Sequence, residues 1–98
     1  MYTVEDIGRI VSKTAVHYGV KKISLFGSYV RGEANENSDI DLHIDKGDLK
    51  GLFQLCRFKA ALEDTFNVSV DVVETDGLNN DILERISKEE IVLYERQG

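Results

Sequence analysis

Three aspartates in this sequence are spaced so that they could hold metal ions. Asp39 and Asp41 are two positions apart in residues 39–45 (DIDLHID), where polar and apolar residues alternate strictly. Both carboxylates therefore lie on one face of a predicted strand. Two negative charges this close repel and raise each other's pKa unless a divalent cation lies between them. Asp71 lies in the valine-rich strand pattern at residues 68–73, where an unpaired carboxylate is costly to bury. If the two strands are neighbours, the three carboxylates can form one cluster.

A cluster of carboxylate oxygens with few other protein ligands suits Mg²⁺, which keeps positions for water and substrate phosphates. Two such ions about 3.5–4 Å apart can stabilise the attacking and leaving oxygens of an in-line phosphoryl displacement. In this scheme Asp39 and Asp41 bridge both ions. Asp71 holds the ion near the acceptor oxygen and helps to deprotonate that oxygen.

A Gly-Ser pair upstream could bind the phosphates of the same substrate. Gly27 and Ser28 follow a predicted strand and begin a predicted short helix. Glycine allows close approach to the backbone, and N–H groups in the first turn of a helix point at an anion. The hydroxyl of Ser28 adds a donor, and Arg31 lies one helical turn further on with its fork of N–H groups.

Each of these features alone has a structural explanation. An Asp-x-Asp pair occurs in ordinary turns, Gly-Ser is a common helix start, and Asp71 alone could protect an edge strand from aggregation. Arg31 alone would be a solvated helix residue. The three features occur in order on suitable elements, and this combination favours catalysis.

Helical and strand patterns alternate along the whole chain, which predicts a layered α/β domain. Thr3 and Asp6 form the sequence signature of a capping box, and Gly19 is a suitable end for the first helix. We expect helices over about residues 3–19, 28–34, 49–66 and 79–88, and strands over residues 21–26, 39–45, 68–73 and 91–94.

Several further residues receive structural interpretations. Cys56 falls in an apolar arc of the long helix and is expected in the core. Lys59, in the same arc, is expected to extend to solvent, with a triphosphate contact as the alternative. His43 is expected to have a polar or partner-facing role, and the acidic cluster from Glu84 to Glu90 is expected to be a solvated helix face. The apolar residues of that arc are Leu52, Leu55, Cys56, Leu62 and Phe66.

Composition limits the classes of function. The 98 residues predict a single domain over residues 1–98. Twelve basic and eighteen acidic residues give a net charge of −6, which argues against direct nucleic-acid binding. One cysteine excludes an intrachain disulfide. No apolar run is long enough for a membrane span and the N-terminus lacks a signal-peptide pattern, so we expect a cytoplasmic protein.

The segment from Gly27 to Leu42 (GSYVRGEANENSDIDL) resembles the signature of the DNA polymerase beta-like nucleotidyltransferase superfamily. That signature is Gly-Ser, ten residues, and then Asp-x-Asp. The pattern Gly-Ser-x-x-Arg-Gly with Ser-Asp-x-Asp-Leu is similar to the minimal, MntA-type nucleotidyltransferases. Asp71 within VDVV matches the third carboxylate of the family, and residues 91–95 (IVLYE) resemble its closing strand. The resemblance covers nearly the whole chain.

The resemblance implies a nucleotidyltransferase fold, with a small mixed sheet flanked by helices. It implies an enzyme that uses two Mg²⁺ ions and ATP. Minimal members pair with a HEPN-domain RNase toxin and act as antitoxins by transferring AMP to a tyrosine of that toxin, so we expect a hetero-oligomer. Two alternatives are an antitoxin that acts by binding alone, and nucleotidyl transfer to a small molecule or an RNA end. The net charge disfavours RNA, and the absence of a second substrate-binding domain disfavours small molecules such as antibiotics.

Overall fold

Four strands form one mixed sheet in the order β3-β2-β1-β4 in the computed structural model, which describes residues 2–97. The elements in chain order are α1 (Val4–Tyr18), β1 (Lys22–Phe26), α2 (Ser28–Arg31), β2 (Ile40–Asp45), α3 (Gly51–Phe66), β3 (Val70–Glu74), a 3₁₀ turn (Thr75–Gly77), α4 (Asn80–Glu89) and β4 (Ile91–Glu95). The predicted α/β class and the small mixed sheet flanked by helices are confirmed.

The ends of α1 follow from local hydrogen bonding. The Asp6 N–H donates to Thr3 Oγ1 at 3.0 Å and the Thr3 N–H donates to Asp6 Oδ2 at 3.3 Å, which is the predicted capping box. Gly19 ends the helix in the left-handed conformation.

The short helix α2 ends at Arg31, three residues before the predicted end, because Gly32 caps it there.

The register of the sheet brings one residue of β1, one of β2 and one of β3 side by side. β1 is antiparallel to β2 and β4, whereas β2 is parallel to β3. The parallel pair needs a crossover, and α3 provides it. Phe26 pairs with Asp41, and Asp41 pairs with Asp71. These three side chains therefore share one face of the sheet.

The core lies between the opposite face of the sheet and the helices α1 and α3. Alternation in β2 directs Ile40, Leu42 and Ile44 into this core, where each is fully buried. α4 lies over the other face, near Asp41 and Val73. The remaining fully buried apolar side chains of the core include Ile7, Val11, Ala15, Val20, Ile23, Leu25, Phe58, Leu62 and Val70.

The expectation that Cys56 lies in the core is wrong, because Cys56 is exposed. The buried residues of α3 are Phe58, Leu62 and Phe66. These three residues recur every four positions and define the buried face of α3. Cys56 is six residues before Leu62, which places it about 120° away from Leu62 around the helix. Leu52, at the start of the predicted arc, is also largely exposed.

Within residues 2–97, no helix has both the length and the apolar content needed to cross a bilayer.

Candidate active site

The sheet brings the carboxylates of Asp41 and Asp71 together. The two residues are direct partners in the parallel β2–β3 pair, and alternation turns both side chains toward the face that α4 covers. Asp39 lies one residue before β2 and is exposed. The sequence-based condition that the Asp71 strand neighbours the Asp-x-Asp strand is therefore met.

The surroundings of Asp41 favour its protonated form. Partial burial, the negative charge of Asp71, a hydrogen bond with the Asp71 side chain and the negative charge of Asp39 together raise the pKa of Asp41 to about 6. Burial contributes most. The positive charge of Arg31 acts in the opposite direction. Asp41 therefore holds its proton to a higher pH than an ordinary aspartate, and a cation beside its ionised form would offset the repulsion from Asp71.

Gly27 lies directly against Asp41, at the turn between β1 and α2. Its φ of +79° lies in the region that favours glycine. A Cβ added at Gly27 would lie 2.1 Å from Asp41 Oδ2, so only glycine allows this turn to contact the carboxylate. Ser28 begins α2 and is half-buried. The phosphate-binding turn predicted from the sequence therefore adjoins the acidic pair.

Arg31, at the end of α2, is held by two acidic residues. Its Nε donates to Glu33 Oε1 at 3.0 Å, and its Nη1 donates to Glu89 Oε1 at 3.3 Å. The same Glu89 oxygen accepts the Gly27 N–H at 3.2 Å. Glu89 thus joins the end of α4 to the Gly27 turn.

Two cavities meet at Asp41. One, of about 540 Å³, lies under α4 and is lined by Gly27 and Arg31 together with Arg85 and Glu89. Its donors and guanidinium groups suit an anionic ligand. The other, of about 560 Å³, lies beside β3 and is lined by acidic, basic and apolar side chains. Its lining residues are Phe26, Asp41, Leu52, Leu55, Cys56, Lys59, Asp71, Val72 and Val73.

The family described as polymerase beta nucleotidyltransferase matches residues 8–98 of this sequence, which is nearly its whole length. The chain belongs to this family.

Relatives of similar length place the chain among the minimal nucleotidyltransferases. The protein adenylyltransferase MntA of Thermococcus cleftensis is 33% identical over 93 residues, which cover 91% of this chain and 94% of that protein. A Methanocaldococcus jannaschii protein that also bears a protein adenylyltransferase name is 35% identical over 88 residues, covering 90% of this chain and 95% of the relative.

Solved structures share the fold. A minimal nucleotidyltransferase has a TM-score of 0.78 at 32% identity, with 92% of this chain and 95% of that chain covered. A toxin–antitoxin structure with AMP-PNP has a TM-score of 0.79 at 22% identity, covering 92% and 74%. A complex of a tri-AMPylated Shewanella oneidensis HEPN toxin with its MNT antitoxin has a TM-score of 0.63 at 17% identity, covering 92% and 74%. The last two likenesses concern the fold alone.

Nucleotidyltransferases generally use ATP with a divalent metal ion, and carboxylate oxygens such as those of Asp41 and Asp71 are the type of ligand that Mg²⁺ prefers. Within residues 2–97, no three His, Cys, Asp or Glu side chains are placed to ligate one ion together. Asp41 and Asp71 nevertheless face each other, and a hard cation between them would relieve their repulsion. Asp39 is exposed and does not complete a three-carboxylate cluster with this pair, although its negative charge lies close enough to raise the pKa of Asp41.

Two residues of this nucleotidyltransferase site were missed by the reasoning from sequence. The sequence predicts a solvated helix face for the acidic cluster from Glu84 to Glu90, which includes Glu89 and Arg85. That prediction holds for Glu84, which is exposed and pairs with Lys88. It is wrong for Glu89, which bonds to Gly27 and Arg31, and for Glu90, which is largely buried against His43. The available signal was a carboxylate in the last turn of a helix, where the helix dipole disfavours negative charge.

His43 and Lys59 also have definite places. His43 Nδ1 lies 2.8 Å from Glu90 Oε2, and its Nε2 lies 2.9 Å from Thr75 Oγ1. This network agrees with the predicted polar role of His43. Lys59 is half-buried and lines the second cavity, which Asp71 also lines.

Proposed function

We propose that this nucleotidyltransferase transfers AMP from ATP to a tyrosine hydroxyl of a HEPN-domain toxin and thereby acts as its antitoxin. The observation that carries the proposal is the opposition of Asp41 and Asp71 next to the Gly27 turn. Relatives named as protein adenylyltransferases, and the MNT antitoxin of similar fold that was solved with an AMPylated HEPN toxin, support this choice of reaction and partner.

The roles are those that the sequence pattern predicts. Gly27, Ser28 and Arg31 bind the phosphates of ATP; Gly27 and Arg31 line the cavity under α4, and Ser28 begins the adjoining helix α2. Asp39 and Asp41 hold the cations, and Asp71 faces the acceptor. Two Mg²⁺ ions, when bound, stabilise the oxygens that attack and leave phosphorus.

The reaction exchanges one phosphorus–oxygen bond for another. The tyrosine oxygen forms a bond to the α-phosphorus of ATP while the bond from that phosphorus to the bridging oxygen of the β-phosphate breaks. Pyrophosphate leaves, and the phenolic proton passes to the carboxylate of Asp71. General base catalysis of this kind requires the carboxylate within hydrogen-bond reach of the hydroxyl.

The second cavity suits an aromatic acceptor. It joins the carboxylate of Asp71 to an apolar wall formed by Leu55, Val72 and Val73. An apolar wall can contact the face of a tyrosine ring while the hydroxyl reaches the carboxylate. In this proposal the donor nucleotide occupies the cavity under α4 and the acceptor ring occupies the cavity beside β3, and Asp41 lines both.

The test is transfer of label from ATP that carries ³²P at the α-phosphate to the HEPN protein encoded beside this chain, in the presence of Mg²⁺. We expect label on a tyrosine, located by peptide mass spectrometry. Asp39→Asn, Asp41→Asn and Asp71→Asn should each lower the rate by roughly 100-fold or more. Asp45→Asn is the matched control, because Asp45 lies at the far end of β2 and pairs with Lys21 at 4.0 Å.

Two results would contradict the proposal, one by removing the need for catalysis and the other by excluding the acceptor. If the variant lacking all three aspartates still neutralises the toxin fully in cells, binding alone accounts for the antitoxin effect. If the wild-type chain labels neither the HEPN protein nor its tyrosines, the assigned acceptor is wrong.

A further inference from the structure

The carboxylate of Glu89 already occupies the donors that the phosphate-binding turn offers. One oxygen, Oε1, accepts both the Gly27 N–H at 3.2 Å and Arg31 Nη1 at 3.3 Å. A backbone N–H and a guanidinium that converge on one anionic oxygen are the contacts that a phosphate oxygen would make at the same place. A phosphate and the Glu89 carboxylate therefore cannot hold these two donors at the same time.

The position of Glu89 in α4 makes its carboxylate dependent on these donors. Glu89 is the last residue of the helix, where the dipole disfavours a negative charge. The Gly27 N–H and Arg31 compensate for this, and the side chain remains partly exposed. Such a carboxylate is held by its two partners rather than by burial.

The backbone next to Glu89 is anchored separately. Glu90 Oε2 lies 2.8 Å from His43 Nδ1, and both of these side chains are largely buried. The end of α4 is thus attached to β2 independently of Glu89. Glu89 can release its two donors by rotating its own side chain, without movement of the helix.

A second partner for the released carboxylate lies in the same cavity. Arg85 is four residues before Glu89, one turn away on the same helix. In the part of the chain from residue 2 to residue 97, Arg85 takes part in no ion pair. Side chains four apart on a helix can contact each other, so Arg85 can receive Glu89 when a phosphate takes Arg31.

We propose that Glu89 is a residue of the nucleotide site that sets its affinity: an internal anion that a triphosphate must displace from Gly27 and Arg31. The inference rests on the proposed function, because it takes a nucleoside triphosphate as the ligand of this turn. Because ATP must displace the Glu89 carboxylate, its affinity for the site is lower than it would be without this carboxylate. Arg31 is released toward the phosphates only when nucleotide is present.

The experiment measures binding without chemistry. Titration calorimetry with AMP-PNP, and separately with inorganic triphosphate, compares wild type with Glu89→Gln in the presence of Mg²⁺. Glutamine keeps an oxygen that can accept the Gly27 N–H but removes the charge that competes with phosphate. We expect both ligands to bind about fivefold tighter to Glu89→Gln, the effect of one partly exposed charge interaction.

Glu84→Gln is the matched control, since it removes the same charge from the same helix and Glu84 pairs with exposed Lys88. Its affinity for both ligands should stay within about twofold of wild type. Glu89→Asp is a second variant that keeps the charge but shortens the side chain. It should also bind tighter than wild type, because the shorter carboxylate cannot reach both donors.

The outcomes separate this inference from the proposed function. Weaker binding in both Glu89 variants would show that Glu89 supports the turn, and unchanged binding would show that it is a bystander. Either result overturns the inference and leaves the proposed function of the wild-type chain standing. If neither wild type nor the Glu89 variants bind triphosphate, the turn is not a phosphate site and both proposals fail. Loss of transfer alone, with tighter binding to Glu89→Gln, would overturn only the proposed acceptor.

Discussion

Asp41 and Asp71 lie opposite each other on the parallel strands β2 and β3, with their carboxyl groups close enough to interact directly. Backbone pairing holds the two acids in this arrangement, so their repulsion cannot be relieved by moving the strands apart. The pKa of Asp41 rises to about 6, with burial as the largest cause and Asp71 as the next. The predictions below on stability, cation binding and transfer all test this pair.

Replacing Asp41 by asparagine should stabilise the metal-free protein at neutral pH. The pKa of Asp41 is higher in the folded chain than the ordinary value of 3.8, so folding disfavours its ionised form. The free energy of unfolding of the wild type therefore falls as pH rises from about 4 to about 6, and it stays lower above that range. Asparagine does not ionise, so the stability of Asp41→Asn does not fall over this pH range. Its free energy of unfolding at pH 7.5 should exceed that of the wild type by about 1 kcal/mol after allowing for solvent screening.

Urea denaturation in EDTA at pH 7.5 and pH 4.5 measures this gain, which should be smaller at the lower pH. Asp45→Asn is the control, because Asp45 pairs with Lys21 and its loss should give no stabilisation. Equal or lower stability of Asp41→Asn at pH 7.5 would mean that the acidic pair carries no strain.

Mg²⁺ should stabilise the wild-type chain through the same residues. A cation that binds the folded state alone raises the free energy of unfolding by mass action. At about ten times its dissociation constant, Mg²⁺ should raise the melting temperature by roughly 7 °C for a domain of this size. Asp39→Asn and Asp71→Asn should each lose most of this increase. Scanning calorimetry, with NaCl added to equal ionic strength, separates binding from charge screening.

An undiminished increase in Asp39→Asn would show that the exposed side chain of Asp39 does not join the cation site. An undiminished increase in Asp71→Asn would show that Asp71 does not take part in the cation site, although the proposed acceptor side depends on its carboxylate.

Gly27→Ala should abolish transfer, whereas Gly32→Ala should not. Both glycines have positive φ values, +79° and +74°. An alanine at Gly32, in the left-handed helical region, costs about 1–2 kcal/mol, whereas Gly27, with ψ −149°, lies in a region nearly restricted to glycine, where the cost is about 1–3 kcal/mol. A Cβ at Gly27 would also lie 2.1 Å from Asp41 Oδ2, while one at Gly32 meets nothing within 4 Å. Gly27→Ala must therefore displace the carboxylate of Asp41.

We expect kcat to fall by roughly 100-fold or more in Gly27→Ala and by less than about threefold in Gly32→Ala. Steady-state transfer assays measure both, and circular dichroism melting checks that the two variants are similarly folded. Comparable activity in the two variants would refute a role for close contact between Gly27 and Asp41.

His43→Ala should weaken the fold more than it slows the reaction. His43 bonds both Glu90 and Thr75 in a mostly buried network, and its removal leaves the Glu90 carboxylate without that partner. The cost should be about 1–3 kcal/mol in the free energy of unfolding, with kcat within about tenfold of wild type. Urea denaturation and the transfer assay decide this. A loss of activity as large as that of Asp41→Asn, in a folded variant, would assign His43 to the chemistry.

Much of the fold was predictable because its signals are local. Thr3, Asp6 and Gly19 define α1 through hydrogen bonds and backbone conformation within a few residues of each other. The alternation in β2 similarly separates Ile40 and Leu42 from Asp41, whatever the neighbouring strands are. Predictions failed where another element decides the environment, as for Cys56 and Glu89.

The sequence by itself determined the order of elements, the three acidic residues and the glycine turn, because spacing along the chain decides which side chains share a face. Only the tertiary structure decided that Asp71 faces Asp41, that the Gly27 turn touches this pair, and that Glu89 holds the donors of the turn. These contacts join residues 14 to 62 positions apart along the chain. Pairing of strands and packing of α4 establish them, and neither leaves a periodic signal in the sequence around the residues that meet.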